Sequence, residues 1–437
     1  MRFYHRTHYV LAVLCLILAA TTSARQPNIV LIMADDMGYE CLGVNGSTSY
    51  TTPRLDALAA AGMQFRQCYS QPLCTPSRVK IMTGQYNFRN YKRFAHLERD
   101  QKTFGHALKA AGYQTAIAGK WQLGHDKTLP AHFGFDEYCL WQLTYEKKQG
   151  ERFANPLIER NGETLPRDED VYGPDVFADF ACDFMTRNRE VPFLLYYPMV
   201  LVHNPFVPTP DSADWATDRH KDESRYFADM MTYTDKVVGR LVDHVASLGL
   251  AEDTVFLFTG DNGTNRSITS KMGARVIPGG KGKMTDAGTR VPFVAYWPGN
   301  AMEGAVSDEL IGFEDFFPTL LDLAGGPAYT DSALDGRSFL PLLRGDAAAE
   351  KPWLYCHYDP RWGKSKEWRG RSARTTRYKL FDDGRFYDVE VDPDESHPLA
   401  VADLKGPARS VHEQLQTVLV EMAQQGSVMS AEGAPAS

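Results

Sequence analysis

The run Asn28-Ile29-Val30-Leu31-Ile32-Met33-Ala34 has no polar position after its first residue, and it stops abruptly at two acids, Asp35-Asp36. A strand exposed on one face alternates apolar and polar residues, so an unbroken run predicts a strand buried on both faces of a mostly parallel sheet in an α/β fold. The pattern recurs. Residues 114–118 form a short strand that leads into Gly119-Lys120-Trp121-Gln122-Leu123-Gly124, 193–197 precedes Val202-His203-Asn204-Pro205-Phe206, and 254–259 exits into Gly260-Asp261-Asn262-Gly263. Open α/β sheets place their sites beyond the carboxyl ends of the strands. Alone, each polar group has a plain explanation: aspartates capping a helix, a lysine in solvent. Together the four strand ends predict one polar site.

Between these strands the punctuation predicts helices over 53–61, from Pro76 onward, over 104–111, over 224–248 with an apolar stripe, and over 314–324 closed by Gly325-Gly326. A Pro/Asp/Gly-containing segment leads to a domain boundary near 340, so that 25–340 is the larger, catalytic unit. The smaller unit, 341–425, reads as α+β, with antiparallel strands over 353–357, 372–375, 378–381 and 385–389 and a helix over 407–423; 426–437 reads as a disordered tail. At the other end, Arg2 and Arg6 precede an apolar run over 10–20 and a small-residue site after Ala24, the pattern of a signal peptide over 1–24. The expected location is periplasmic or extracellular, with no stable membrane anchor. An excess of Asp+Glu (55) over Lys+Arg (47) gives −8, which offers nucleic acid no general attraction and requires any anionic substrate to be held by a local basic site. Of seven cysteines, Cys15 falls in the signal peptide, and at most one or two disulfides are expected among the rest.

One cysteine stands apart. Cys74-Thr75-Pro76-Ser77-Arg78, with Thr83-Gly84 shortly after, places a thiol where a proline opens a helix and an arginine follows one turn on. This C-x-P-S-R…T-G pattern resembles the signature of the type I sulfatases, and with the strand ends the resemblance spans nearly the whole chain after Ala24. It implies an alkaline phosphatase-like α/β/α sandwich, a mostly parallel central sheet and a smaller C-terminal α+β domain with an antiparallel sheet. It also implies that Cys74 is oxidised to formylglycine by a formylglycine-generating enzyme, and that one hydroxyl of the hydrated aldehyde attacks sulfur. Asp35, Asp36, Asp261 and Asn262, with an oxygen of the modified residue 74, match the family's calcium ligands. An all-oxygen set suits a hard cation, calcium or alternatively magnesium, better than zinc. By the same resemblance Arg78 orients the nucleophile, Lys120 contacts sulfate, and His203 or Lys281 of Gly279-Gly280-Lys281-Gly282 protonates the departing alcohol.

The chain departs from the family pattern at Gln122, where K-W-H-L-G would carry a histidine; an amide cannot act as a base. His125 is a candidate replacement, and Arg361 and Trp362, in a basic and aromatic stretch, are candidate contacts to a sugar ring bearing sulfate. The function expected is hydrolysis of the sulfate ester of a sulfated carbohydrate. A phosphate or phosphonate ester hydrolase on the same scaffold is the alternative, and a non-catalytic sulfated-glycan binder is disfavoured by intact Cys74, Arg78, Lys120, His203 and Lys281.

Overall fold

A computed structural model describes residues 26–144, 151–326, 334–361 and 369–432. The segment read as a signal peptide and Trp362 lie outside the described residues. In chain order the strands are β1 (Asn28–Ala34), β2 (Met63–Tyr69), β3 (Gln114–Lys120), β4 (Glu137–Trp141), β5 (Ile158–Arg160), β6 (Glu163–Thr164), β7 (Phe193–Pro198) and β8 (Thr254–Gly260). A hairpin of β9 (Thr269–Met272) and β10 (Arg275–Pro278) follows, then β11 (Arg290–Tyr296), β12 (Ala305–Ser307) and β13 (Ile311–Gly312). All but the hairpin join one eleven-stranded sheet in the order β12-β2-β11-β8-β1-β7-β3-β4-β5-β6, with β13 also on β2. Its centre, β8-β1-β7-β3-β4, is parallel.

The unbroken apolar run of β1 has a direct cause. Val30, Ile32 and Ala34 pack on one side with Phe177, Phe184, Met230 and Val238, from the helices Gly173–Arg187 and Tyr226–Ser247. Ile29, Leu31 and Met33 pack on the other with Val79, Ile81, Phe104 and Leu320, from the helices Cys74–Thr83, Phe104–Ala110 and Phe316–Leu323. Every position of β1 is buried, each large aliphatic contributing about 1.5–3 kcal/mol, and after Asn28, whose amide donates to Thr254 Oγ1 (3.2 Å), every residue is apolar. This is the alkaline phosphatase-like α/β/α sandwich.

Sequence periodicity did not disclose β2 as a strand. Its outward residues Arg66 and Gln67 interrupt the apolar pattern, and its partner β11 is antiparallel, with a register shift between Val291 and Phe293 where Pro292 has no N–H to donate. The helix predicted from Pro76 begins at Cys74 itself; proline is tolerated in the first turn because its missing donor has no intrahelical partner there.

The antiparallel C-terminal sheet comprises β14 (Leu354–Tyr358), β15 (Gly370–Arg374), β16 (Tyr378–Phe381) and β17 (Phe386–Asp388) in that order. Tyr355, Ala373, Leu380 and Phe386 pack against Leu415, Val418, Leu419 and Met422 of the helix Gly406–Glu432. That helix corrects the expected end near 423: residues 426–432, read as disordered, continue it, because the next proline comes only at Pro435 and a single Gly426 costs about 1 kcal/mol. Cys41, Cys68, Cys74, Cys139, Cys182 and Cys356 are all buried and free. No helix among the described residues is long and apolar enough to cross a membrane.

Candidate active site

Three backbone hydrogen bonds pin the strand ends together. Asp35 N–H donates to Leu201 O (2.7 Å), Val202 N–H returns to Asp35 O (2.8 Å), and Asp261 N–H donates to Ala34 O (2.8 Å). The loop after β7 and the end of β8 are thereby held against the end of β1. Residues far apart in the chain meet there: Asp36 N–H donates to Asp261 Oδ1 (3.0 Å) and Asn262 Nδ2 to Asp36 Oδ1 (2.9 Å).

Cations close around these carboxylates. Lys120 Nζ, at the end of β3, donates to Asp35 Oδ2 (2.7 Å), and Lys281 Nζ to Asp36 Oδ2 (2.6 Å). Arg78, one turn into its helix, donates from Nη2 to Asp261 Oδ2 (3.1 Å) and from Nη1 to the carbonyl of Lys120 (2.8 Å). Cys74 is 3 % exposed and opens the helix that carries Arg78 one turn on. Ser77 fixes the approach to that helix by accepting from Gln71 N–H (3.0 Å) and donating back to Gln71 O (3.1 Å).

Proton affinities follow from this crowding. Burial alone would raise the Asp35 carboxyl, but Lys120, His203 and Arg152 outweigh it and hold the group well below the ordinary range. Asp36 is lowered too, burial being overcome chiefly by Lys281, and Lys281 is raised in return. Asp261 moves the other way, pushed to about 7 by burial and by its neighbour Asp35. His203 donates from Nδ1 to Asn204 O (2.6 Å), which leaves Nε2 facing Asp36 Oδ2 at 3.7 Å. Burial and the positive charge of Arg152 push its pKa down to about 3.

The donors fit a hard cation. Asp35 Oδ1 and Asn262 Oδ1 are buried without a hydrogen-bond partner among the described residues, as is Arg78 Nε, and orphaned oxygens of this kind call for an ion or a ligand. Oxygens of Asp35 and Asp36 and a ring nitrogen of His203 also lie within 4.8 Å of one another.

The sulfatase family profile matches residues 27–326, and the profile of the N-sulphoglucosamine sulphohydrolase C-terminal region matches 280–425. The chain belongs to the sulfatase family. Its activity class is therefore hydrolysis of sulfate esters. Human arylsulfatase A is 33% identical over 419 residues, covering 86% of this chain and 79% of its own. N-acetylgalactosamine-6-sulfatase of Mus musculus is 32% identical over 374 residues, covering 77% and 70%. Among solved structures Ps i-CgsB superposes with a TM-score of 0.76 at 26% identity, covering 92% and 93%. Its complex with k-i-k-neocarrahexaose gives 0.74 at the same identity and coverage.

The remaining candidates of this sulfatase lie differently. Gln122 has a left-handed backbone (φ 54°), and its Oε1 is buried without a partner among the described residues. His125 is exposed and lines a cleft of about 500 Å³ with Arg93, His96, Arg99 and Asp126. Arg361 is exposed too and pairs with Asp359 (2.7 Å), beside the Pro360 carbonyl that accepts from the Tyr91 hydroxyl (2.7 Å). Sequence reading missed Arg152, whose Nη1 donates to Asp35 Oδ2 (3.1 Å). It also missed the Glu40–Thr264 pair (2.6 Å), in which Thr264 further accepts from Gly38 N–H (3.1 Å) and so ties the loops after β1 and β8. Arg152 follows a run of charged residues indistinguishable from a solvated loop.

Proposed function

We propose that this sulfatase is exported and removes sulfate from a sulfated carbohydrate, using a formylglycine made from Cys74 by a formylglycine-generating enzyme. The observation that supports this reading is the meeting of Asp35, Asp36, Asp261 and Asn262, with two orphaned oxygens, in a ring of cations that includes Arg78, one turn from residue 74 on the same helix. Asp35, Asp36, Asp261, Asn262 and an oxygen of the modified residue would hold calcium, or alternatively magnesium, whose charge would steady a sulfate oxygen. The hydrated aldehyde would supply a hydroxyl to sulfur as the bond from sulfur to the alcohol oxygen breaks, and loss of the proton of its second hydroxyl would then expel sulfate and restore the aldehyde, so that water does not attack sulfur.

The other tasks fall to residues present in the chain. Arg78 and Lys120 are fixed by bonds to Asp261 and Asp35, so their charges are pre-oriented toward the nucleophile and the sulfate. His203 and Lys281 sit on the Asp36 side and are the candidates for protonating the departing alkoxide, and Lys281, whose ammonium is held protonated, is favoured over His203, whose burial keeps the imidazole neutral. The sugar preference draws on the relatives: one is named for N-acetylgalactosamine-6-sulfate chemistry and another was solved with a carrageenan-type oligosaccharide. Gln122, His125, Arg361 and Trp362 are the proposed contacts to that substrate.

The test is mass analysis of the Cys74 peptide from active protein made with the maturing enzyme. The expected product is the aldehyde; a plain thiol in active protein overturns the mechanism. Parallel assays on an aryl sulfate and an aryl phosphate are expected to favour the sulfate, and preferential phosphate cleavage would replace this reading with an esterase of the other class.

A further inference from the structure

Arg152, in the loop between β4 and β5, is only 9 % exposed. Its guanidinium carbon lies 4.2 Å from the centre of the Trp141 ring, and Nη1 reaches Asp35 Oδ2. Trp141 is the register partner of Lys120 across β4 and β3, so the stacked guanidinium is delivered beside the lysine that already neutralises the same carboxylate oxygen. A second cation there is more than Asp35 needs. Nε and Nη2 of Arg152 have no hydrogen-bond partner among the described residues. The side chain is 11 % exposed and these two nitrogens are not among the fully buried unpaired atoms, so the fixed guanidinium keeps an edge that a ligand can reach. Through the Asp35 oxygen that it shares with Lys120, and through Lys120, whose carbonyl accepts from Arg78, it stands at the same cluster as the arginine one turn from residue 74.

We propose that Arg152 is a substrate-binding residue: Trp141 and Asp35 fix its plane, and its open Nε/Nη2 edge donates to two oxygens of the substrate's sulfate group. The inference rests on the sulfatase reading of this site. Two parallel N–H groups match two oxygens of a tetrahedral oxyanion, a fit that a lysine point charge does not reproduce. The competing role is that of a counter-ion to Asp35 alone.

The experiment uses the full chain in calcium, with inorganic sulfate as the probe in titration calorimetry, on wild type, Arg152→Lys and Arg152→Gln. The expected result is a sulfate Kd raised about tenfold or more in both variants, as for loss of charge-assisted hydrogen bonds, with calcium affinity not lowered, because a cation competing for the Asp35 carboxylate is weakened or removed. Sulfate binding equal to wild type in Arg152→Gln overturns the proposal, and so does calcium affinity falling in step with sulfate affinity. If Arg152→Gln does not fold, Arg152→Lys decides, and wild-type sulfate affinity in that variant overturns it. A wild type that binds sulfate through Arg152 yet cleaves no sulfate ester counts against the sulfatase reading while supporting the residue's role.

Discussion

Gly119 shows how a single backbone position controls the site. Its φ of 108° lies outside the range comfortable for a side chain, and an added Cβ would stand 2.2 Å from the Pro198 carbonyl oxygen of the neighbouring strand. Gly119→Ala must therefore push β3 off β7 or distort the turn that aims Lys120, and we expect a loss of about 2–4 kcal/mol by urea unfolding together with weakened activity. Gln122, three residues on, holds a non-glycine left-handed conformation at a cost of roughly 1–3 kcal/mol. An amide there cannot take the proton that would speed release of sulfate. Gln122→His is expected to raise steady-state turnover without altering the first, burst-phase release of alcohol; identical steady-state rates would show that the second step does not limit. Cys74→Ala should abolish turnover while the unfolding curve stays close to wild type, since a small buried side chain is exchanged for another.

At the scale of elements, the helix Cys74–Thr83 is anchored at its far end by buried charge. Lys80, in its last turn, lies 2.7 Å from Glu314 Oε2, a close ion pair without good hydrogen-bond alignment, while Lys351 donates to Glu314 Oε1 (2.8 Å) and to Asp315 Oδ2 (2.7 Å). One carboxylate thus ties the helix that begins at Cys74 to the segment leading into the C-terminal sheet. Burial pushes the Glu314 pKa up, but Lys351 and Lys80 prevail and bring it from its ordinary 4.5 to about 2. Because the folded value is the lower one, its contribution is full above the ordinary value and is lost as pH falls toward about 2, on the order of 3 kcal/mol in all. Asp315 is shifted upward by burial, so comparison of acid unfolding between wild type and Glu314→Gln is what isolates this one group. At neutral pH the same variant strands two buried lysines and should cost about 3–5 kcal/mol in denaturant unfolding. A second tie, Arg374 and Lys379 onto Asp286, joins the C-terminal sheet to the loop that follows Lys281.

Over the whole molecule, three carboxylates at the ends of two central strands make stability depend on whatever balances them. Calcium that binds only the folded chain adds about 2.7 kcal/mol at a hundredfold excess over its Kd, so a chelator should lower the unfolding temperature and restored calcium should recover it. Asp35→Ala with Asp261→Ala should remove that response; a response that survives would place the ion elsewhere. The α/β class, the two-sided burial of β1, the polar strand ends and the C-terminal antiparallel strands were all legible in the chain, because two-faced burial writes an unbroken apolar run and chemistry at strand ends writes short polar breaks. Less legible were β2, whose outward Arg66 and Gln67 hide its pattern, and the helix past 423, where a plain Gly/Ser/Ala composition resembles that of a tail. The residues at 35, 36, 74, 78, 120, 261 and 281 could be named from local motifs because each motif is contiguous. Arg152 and Trp141 could not: a cation in a charged loop and an aromatic at a strand end have no shared signal until β3 and β4 pair and bring Lys120 beside them. Sequence determined which side chains could do the chemistry; tertiary structure alone decided which of them share a carboxylate oxygen, because that depends on distances between strands rather than on spacing along one.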